Sequence, residues 1–153
     1  MSKKHFFNLP DDLPLEKGNV LKKPTLAYNT YGTLNEKKDN VVWIFHALTA
    51  ASNVDEWWEG LVGEGKLFNP NDHYVICANI LGSCYGSTGP NSINPDTGKP
   101  YFHSFPDITI RDIVNSLIEL KLSSDERLES KIHKNKPTAP KRTTPETLWR
   151  IET

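Results

Sequence analysis

Residues 41–51 read VVWIFHALTAA, in which five apolar residues, rich in β-branched and aromatic types, precede a segment that is small or polar apart from Leu48. A continuous apolar run of this length is typical of a strand that is buried on both faces of a parallel sheet covered by helices. In open α/β sheets, functional groups lie just beyond the carboxyl ends of such strands. The sequence therefore predicts an α/β fold in which residues 41–45 are scaffold and residues 46–49 lie near the chemistry.

The segments on either side of this strand favour the same fold class. The pattern of β-branched and aromatic residues predicts a hairpin near the start of the chain, with strands at residues 13–21 and 24–31. Residues 1–12 are polar and contain Pro10, and no strand is predicted there. Residues 73–81, HYVICANIL, are predicted to form a second apolar strand.

Two helices are predicted further along. A short helix is expected at residues 56–59, EWWE, with Asn53 or Asp55 as its N-cap. A longer helix begins at Thr109, because Thr109-x-x-Asp112 has the form of a capping box. Its apolar residues follow helical spacing and are expected to pack as one stripe on the sheet: Ile110, Ile113, Val114, Leu117 and Ile118.

Composition and charge restrict the class of protein. With 153 residues and a net charge of −1, the chain is long enough for one domain and has no electrostatic feature that favours nucleic acid or an anionic membrane. The longest apolar run is far too short to cross a membrane, and no signal-peptide pattern is present. We therefore expect a cytoplasmic protein without nucleic-acid or membrane partners, in which Cys77 and Cys84 are reduced, buried thiols.

The average composition hides a division near residue 122. Residues 123–153 contain one aromatic residue, Trp149, no glycine, seven lysines or arginines and three prolines. A segment of this composition cannot bury enough apolar surface to offset the entropy that ordering costs. The sequence predicts a partial α/β domain at residues 1–122 and a disordered tail at residues 123–153.

A glycine-rich loop follows the second predicted strand. Residues 82–90 read GSCYGSTGP, and irregular sequence continues to Pro106, which is long for a connection in a compact domain. The spacing G-x-x-x-G-x-x-G differs from the dinucleotide-binding fingerprint. The segment is either a flexible connection or a pocket-lining loop, and its place at the carboxyl end of a strand favours the pocket.

Three other patterns carry less weight. Residues 60–66, GLVGEGK, match the start of a phosphate-binding P-loop, but Leu67 stands where Ser or Thr would hold Mg²⁺, so a glycine-rich turn is the better interpretation. The five histidines lack ligand spacing, and no metal site is expected. His46 is a candidate base, although a histidine that closes a strand is more often part of the hydrogen-bonded structure.

No catalytic nucleophile is assigned in this sequence. A serine hydrolase or acyltransferase of this architecture needs G-x-S-x-G, a strained strand-to-helix turn that exposes the serine hydroxyl. Ser83 and Ser87 lie in the glycine-rich loop, but neither has glycine both two positions before and two positions after it. No downstream Asp and His are assigned as partners of a nucleophile, so the catalytic triad is taken to be absent.

Six segments in this order are specific in combination: HALT at 46–49, Trp57-Trp58, GLVGEG at 60–65, GSCYGSTGP at 82–90, SINPDTGKPY at 92–101 and TIRD at 109–112. Together they resemble the homoserine O-acetyltransferase family, from about residue 13 to residue 121. The resemblance implies the α/β-hydrolase fold and a ping-pong transfer of acetyl from acetyl-CoA to homoserine in methionine biosynthesis, without a bound cofactor. Close relatives use succinyl-CoA or serine, and the intact family is expected to be homodimeric.

The resemblance also implies site residues. The family contributes a backbone N–H to its oxyanion hole from the segment that corresponds to HALT, and we assign this donor to Leu48. An N–H suits this role because it needs only a fixed turn at the end of a rigid strand. The residues expected to border the site are His46, Thr49, Gly82, Ser83, Gly86, Ser87 and Gly89.

The match to the family pattern stops near Lys121, before the segment that carries the family's nucleophile. The family's Asp, His and substrate-binding arginine also lie further along. The chain is therefore expected to form the N-terminal portion of the fold, a mostly parallel sheet with flanking helices and an N-terminal hairpin, incomplete and with a bare apolar edge at residues 41–45.

A truncated or frameshifted gene product that is inactive by itself is the first hypothesis for such a sequence. Two alternatives stay open. One is a complementing half, for which another chain supplies the nucleophile. The other is a non-catalytic binding module that uses residues 82–105, and it would unfold cooperatively as a stable monomer.

Overall fold

The structure is a computed structural model that describes residues 2–47 and 49–133, with side-chain packing described as far as Lys121. Four strands form one mixed sheet in the order β1-β4-β6-β5, and β2 and β3 form a separate two-stranded ribbon. One short 3₁₀ turn, Phe102–Ser104, precedes the last helix. The elements are β1 (Lys3–Asn8), β2 (Leu13–Pro14), β3 (Val20–Leu21), β4 (Thr25–Tyr31), β5 (Val41–Ile44), α1 (Val54–Trp57), β6 (Tyr74–Ala78) and α2 (Ile110–His133).

The prediction of a mostly parallel sheet is wrong for the described residues. Only β5 and β6 are parallel, whereas β4 pairs antiparallel with both β1 and β6. A parallel pair needs a long crossover connection, and the segment that joins β5 to β6, which contains α1, is such a connection. The sheet is therefore mixed.

The predicted hairpin is also wrong. The antiparallel partner of β4 is β1, in a register that runs from Lys3 opposite Thr30 to Asn8 opposite Thr25. Residues 13–21 instead fold back on themselves as the β2–β3 ribbon. β1 was not predicted because residues 1–12 are mostly polar, and a strand at the edge of a sheet needs few apolar residues. In β1, Phe7 is buried, while Phe6 on the opposite face is exposed.

The strand predicted at residues 41–45 is confirmed as β5, but its burial differs from the prediction. Val41 and Phe45 are exposed, and Phe45 retains 72% of its accessible surface. The reason is position, because β5 is the last strand of the sheet and only β6 pairs with it among the described residues. The predicted bare apolar edge is thus present, and such an edge favours association with another chain.

The core lies on both faces of the sheet. On β6, Val75 and Cys77 pack with β5 and α1, whereas Ala78 packs on the other face with α2 and the β2–β3 ribbon. This alternation is the period of two that a strand covered on both faces requires. The α2 face has the larger group of buried residues: Phe7, Leu9, Leu13, Leu15, Leu21, Leu26, Ala78, Leu81, Tyr101, Leu117 and Leu120.

The short helix predicted near residues 56–59 is confirmed as α1, although its capping differs. Asn53 occupies the N-cap position, but its side chain makes no capping hydrogen bond to the backbone and bonds the Glu56 carboxylate instead. Asp55 accepts a 2.6 Å hydrogen bond from the Tyr31 hydroxyl, which ties α1 to the end of β4. Burial, followed by this bond to Asp55, raises the pKa of Tyr31 above its ordinary value.

The capping box of the long helix is confirmed. The Thr109 backbone N–H donates to Asp112 Oδ2 at 2.9 Å, and the Asp112 N–H donates to Thr109 Oγ1 at 3.3 Å. The predicted stripe of α2 is confirmed only in part: Leu117 is buried and Ile113 packs against the same core, whereas Ile110 keeps 81% of its surface exposed and Val114 and Ile118 are also exposed. The packed face includes three further buried residues that the stripe did not contain: Asp112, Ser116 and Leu120.

The helix also runs past the predicted boundary at residue 122. It ends at His133. Residues 134–153 lie outside the described residues, so the division of the chain at residue 122 stays a prediction.

Replacing Asp112 with alanine is expected to lower the free energy of unfolding by about 1–3 kcal/mol at pH 7. Besides its cap, the buried carboxylate accepts the Glu16 N–H at 2.9 Å and so joins α2 to the β2–β3 ribbon. Burial acts to raise the pKa of Asp112, but the N–H groups of Thr109 and Glu16 outweigh it and hold the pKa below its ordinary value of 3.8.

A carboxyl group whose pKa is lower in the folded state stabilises the protein above the unfolded-state pKa and loses that contribution as the pH falls through the folded-state pKa. The difference between the native chain and the variant should therefore shrink below about pH 4, in urea unfolding followed by circular dichroism. The control is Asp107→Ala, which removes only an exposed ion pair with Lys17. If the difference in unfolding free energy between the native chain and Asp112→Ala is as large at pH 3 as at pH 7, the ionised Asp112 carboxylate is not its source.

Candidate functional site

Two loops meet at one end of the sheet, beyond the last residues of β5 and β6. The β5 loop, residues 45–53, and the glycine-rich loop, residues 82–90, follow the two parallel strands, so both leave the sheet at the carboxyl end. They are in contact, because the Tyr85 hydroxyl donates to the Thr49 carbonyl at 3.4 Å. The structure thus brings together the two segments in which the sequence placed its candidate residues.

Leu48, the predicted oxyanion-hole donor, lies outside the described residues. Its neighbours are described: the Ala50 N–H donates to the Ala47 carbonyl at 2.9 Å, which closes the β5 loop locally. The assignment of the Leu48 N–H therefore stays a prediction.

His46 is held by the backbone around it. Its ring Nδ1 lies 2.8 Å from the Ala47 carbonyl oxygen, and its backbone N–H bonds the Cys77 thiol on β6. The ring Nε2 is buried and has no hydrogen-bond partner in the described part of the chain. These contacts favour a structural role over general-base catalysis, because within residues 2–47 and 49–133 neither ring nitrogen bonds an acidic or hydroxyl side chain.

All five candidate residues of the glycine-rich loop line one cavity of about 310 Å³: Gly82, Ser83, Gly86, Ser87 and Gly89. The loop packs closely on the sheet, because a Cβ at Gly86 would lie 3.1 Å from the Ala27 side chain. Gly86 also lines a second cavity of about 300 Å³ on the side of Lys22, Lys23 and Tyr101. The geometry agrees with a pocket-lining loop, and the catalytic relevance of this pocket stays a prediction.

The two serines of the loop differ in their surroundings. Ser87 is buried, accepts the Ala27 N–H at 3.0 Å and donates to the Asn79 carbonyl at 2.7 Å, so its hydroxyl is fully engaged. Ser83 Oγ is buried without a hydrogen-bond partner among the described residues. Ser87 is therefore a structural element of the loop, whereas the Ser83 hydroxyl is closed to solvent and makes no hydrogen bond within the described residues.

Asn79 and Ser52 connect the two loops, and neither was predicted from the sequence as a site residue. The prediction placed Asn79 inside a strand at residues 73–81, but β6 ends at Ala78 and Asn79 is the next residue. Its carboxamide bonds both the Ser52 backbone and the Ser52 hydroxyl. An asparagine within the apolar run CANIL was the available signal, since a buried amide needs several partners.

The two cysteines are free thiols, as predicted, but the prediction that both are buried is wrong for Cys84, which is exposed on the glycine-rich loop, whereas Cys77 is buried on β6. Burial raises the pKa of Cys77 to about 12. Iodoacetamide at pH 8 is therefore expected to label Cys84 within minutes and to leave Cys77 unmodified, because only about one in ten thousand Cys77 thiols is ionised at this pH and the sulfur is inaccessible. Peptide mass spectrometry locates the label.

Guanidinium-unfolded protein should carry both labels, and Cys84→Ser should carry none in the native state. Native labelling of Cys77 would show that the β5–β6 pair opens readily.

Within the described ranges, no group of three or more His, Cys, Asp and Glu side chains is arranged to hold a metal ion. No helix in that part of the chain combines the length and apolar character of a membrane span.

Comparison with known proteins shows strong similarity to one enzyme family. The chain is 50% identical over 116 residues to a homoserine O-acetyltransferase of Cyclobacterium marinum, a match that covers 76% of this chain and 33% of the relative. It is 54% identical over 109 residues to that of Nostoc punctiforme, covering 71% and 31%. The chain thus spans about a third of the length of the curated relatives it matches. No protein-family model matches it.

Solved structures support the fold. The chain superposes on a homoserine O-acetyltransferase from Bacillus anthracis with a TM-score of 0.71 and 35% identity, covering 82% of this chain and 37% of that one. It is equally similar to esterase E22, with a TM-score of 0.71, 35% identity and coverage of 82% and 38%. Both are α/β-hydrolase fold proteins, so the predicted fold class is confirmed as a portion of that fold.

Proposed function

We propose that this chain, which spans about one third of the length of the homoserine O-acetyltransferases it matches, forms the oxyanion side of that family's acyl-transfer site. The observation that supports this proposal is the contact between the β5 loop and the glycine-rich loop at the carboxyl ends of two parallel strands. A site that stabilises a developing oxyanion needs donors on rigid elements. The end of β5, held by His46 and Cys77, is such an element.

In the proposed reaction, acetyl-CoA is the acetyl donor and the homoserine hydroxyl is the acceptor. The Leu48 N–H would stabilise the negative charge on the carbonyl oxygen of the tetrahedral intermediate, and the glycine-rich loop would line the pocket. The proposed reaction belongs to methionine biosynthesis and takes place in the cytoplasm. Its partners are small molecules rather than nucleic acid or membrane, the expected assembly is a homodimer, and no bound cofactor is needed.

The 153 residues are not expected to catalyse this transfer alone. The acyl-enzyme step needs a nucleophile, and the sequence has no G-x-S-x-G turn to present one. Ser87, the serine nearest to that pattern, has its hydroxyl bonded to the backbone on both sides. Acyl transfer would therefore require a segment that supplies the serine and its Asp and His partners.

A thiol-release assay with acetyl-CoA and homoserine tests the proposal. We expect no turnover with the chain alone, and turnover when it is mixed with the nucleophile-bearing remainder of a homologous acetyltransferase. Turnover by the chain alone would contradict its expected inactivity. A mixture that associates but stays inactive would contradict the proposed contribution to the site.

Ester hydrolysis is a second candidate, because the solved structure of an esterase is as similar as that of the acetyltransferase. The two functions differ in the acceptor of the acetyl group, water or homoserine. Release of p-nitrophenol from p-nitrophenyl acetate by the same mixture, unaffected by added homoserine, would favour the esterase.

A further inference from the structure

Asn79 uses every hydrogen-bonding group that it has. Its backbone N–H donates to the Ala27 carbonyl at 2.8 Å, which extends the β4–β6 pairing by one residue. Its own carbonyl accepts the Ser87 hydroxyl at 2.7 Å. The residue is 1% exposed, so these bonds are made without competition from solvent.

The carboxamide of Asn79 reaches both loops of the candidate site. Its Oδ1 accepts the Ser52 backbone N–H at 2.8 Å, while its Nδ2 donates to Ser52 Oγ at 2.9 Å and to the Tyr85 carbonyl at 3.1 Å. Ser52 belongs to the β5 loop and Tyr85 to the glycine-rich loop. The Ser52 hydroxyl in turn donates to Asn29 Oδ1 on β4 at 2.7 Å, which anchors the network in the sheet.

We propose that Asn79 is a positioning residue that holds the β5 loop and the glycine-rich loop in one fixed relation. The physical reason is that displacement of either loop would leave part of a buried carboxamide without a partner, which is costly. Each loop therefore stabilises the position of the other through the Asn79 side chain. That this arrangement serves acyl transfer rests on the proposed function, whereas the coupling of the loops does not.

Amide hydrogen exchange of Asn79→Leu tests the coupling in the full chain. We expect the Ser52 amide to exchange at least about tenfold faster, because its acceptor is lost. The amides of Gly82 and Thr88 should also exchange faster, although they bond the Thr88 and Thr25 carbonyls and not Asn79. Accelerated exchange at these two sites is the signature of coupling.

The control is Ser116→Ala, which removes a hydroxyl that is equally buried but lies on α2 and bonds the Ile113 carbonyl. It should not accelerate exchange selectively in the two loops. Ser52→Ala is a milder second variant, because it keeps the N–H bond to Asn79 and removes the hydroxyl, so it should give the same pattern with smaller changes. Unchanged exchange at Gly82 and Thr88 in both Asn79→Leu and Ser52→Ala would overturn the proposal, as would uniform acceleration along the whole chain.

A kinetic measurement separates this inference from the proposed function. In the active mixture, Asn79→Leu should lower kcat by about tenfold or more with little change in the KM for homoserine, since it misplaces the oxyanion donor and not the acceptor. An inactive mixture with the expected exchange pattern would refute the proposed function and leave the coupling supported. Unchanged kcat in an active mixture would refute the positioning role.

Discussion

Gly32→Ala is expected to destabilise the chain by about 3 kcal/mol or more, enough to unfold a domain of marginal stability. Gly32 follows β4 directly and has φ of +76°, a conformation that residues with a Cβ rarely adopt. A Cβ there would lie closer than 3.0 Å to the carbonyl oxygens of both His73 and Pro70. Both oxygens are backbone atoms of the segment before β6, so they cannot move away as the end of a flexible side chain would.

Gly98→Ala is the matched control for this substitution. Gly98 has a similar φ of +67°, but a Cβ added to it meets no atom within 4 Å. It should therefore cost only the backbone strain, about 1 kcal/mol. Urea unfolding followed by circular dichroism compares the two variants, and equal losses of stability would show that the close approach of Gly32 to the segment before β6 is not maintained.

Leu48→Pro is expected to reduce acyl transfer by the active mixture about 10²–10³-fold, the usual cost of one lost oxyanion-hole donor. Proline has no backbone N–H, so this substitution deletes the proposed donor itself. The loss should fall mainly on kcat, because an oxyanion donor binds the tetrahedral intermediate more strongly than the substrate. Thiol release from acetyl-CoA at saturating homoserine measures it.

Leu48→Ala removes most of the side chain and keeps the N–H, so its rate should stay within about threefold of the original. Near-ultraviolet circular dichroism of both variants shows whether the surrounding fold is retained. If Leu48→Pro folds and keeps its activity, the donor is not the Leu48 N–H. If Leu48→Ala is as inactive as Leu48→Pro, the side chain is responsible instead.

The elements that could be predicted from the sequence are those with strong local patterns. The apolar runs gave the positions of β5 and β6 to within a few residues, and Thr109 with Asp112 gave the start of α2. Each pattern depends on neighbours within a few positions along the chain. The same holds for the glycine-rich loop, whose residues do line one cavity.

The predictions that were wrong or missing concern elements that depend on contacts between residues distant along the chain. β1 was missed because its polar sequence becomes a strand only by pairing with β4, about twenty residues later. Ile110 and Ile118 match a helical stripe but stay exposed, whereas Asp112 is buried because its carboxylate finds a partner in Glu16, which is distant along the chain. Helical periodicity alone does not say which of two adjacent faces the rest of the chain will cover.

By itself, the sequence determined the fold class, the family resemblance and the two loops that carry the candidate site, because local apolar patterns and motif order encode them. Only the tertiary structure decided that β1 is the partner of β4 and that Asn79 joins the two loops. These features depend on contacts between residues that are distant along the chain. Such contacts form only when several elements pack together, so a local sequence pattern does not predict them.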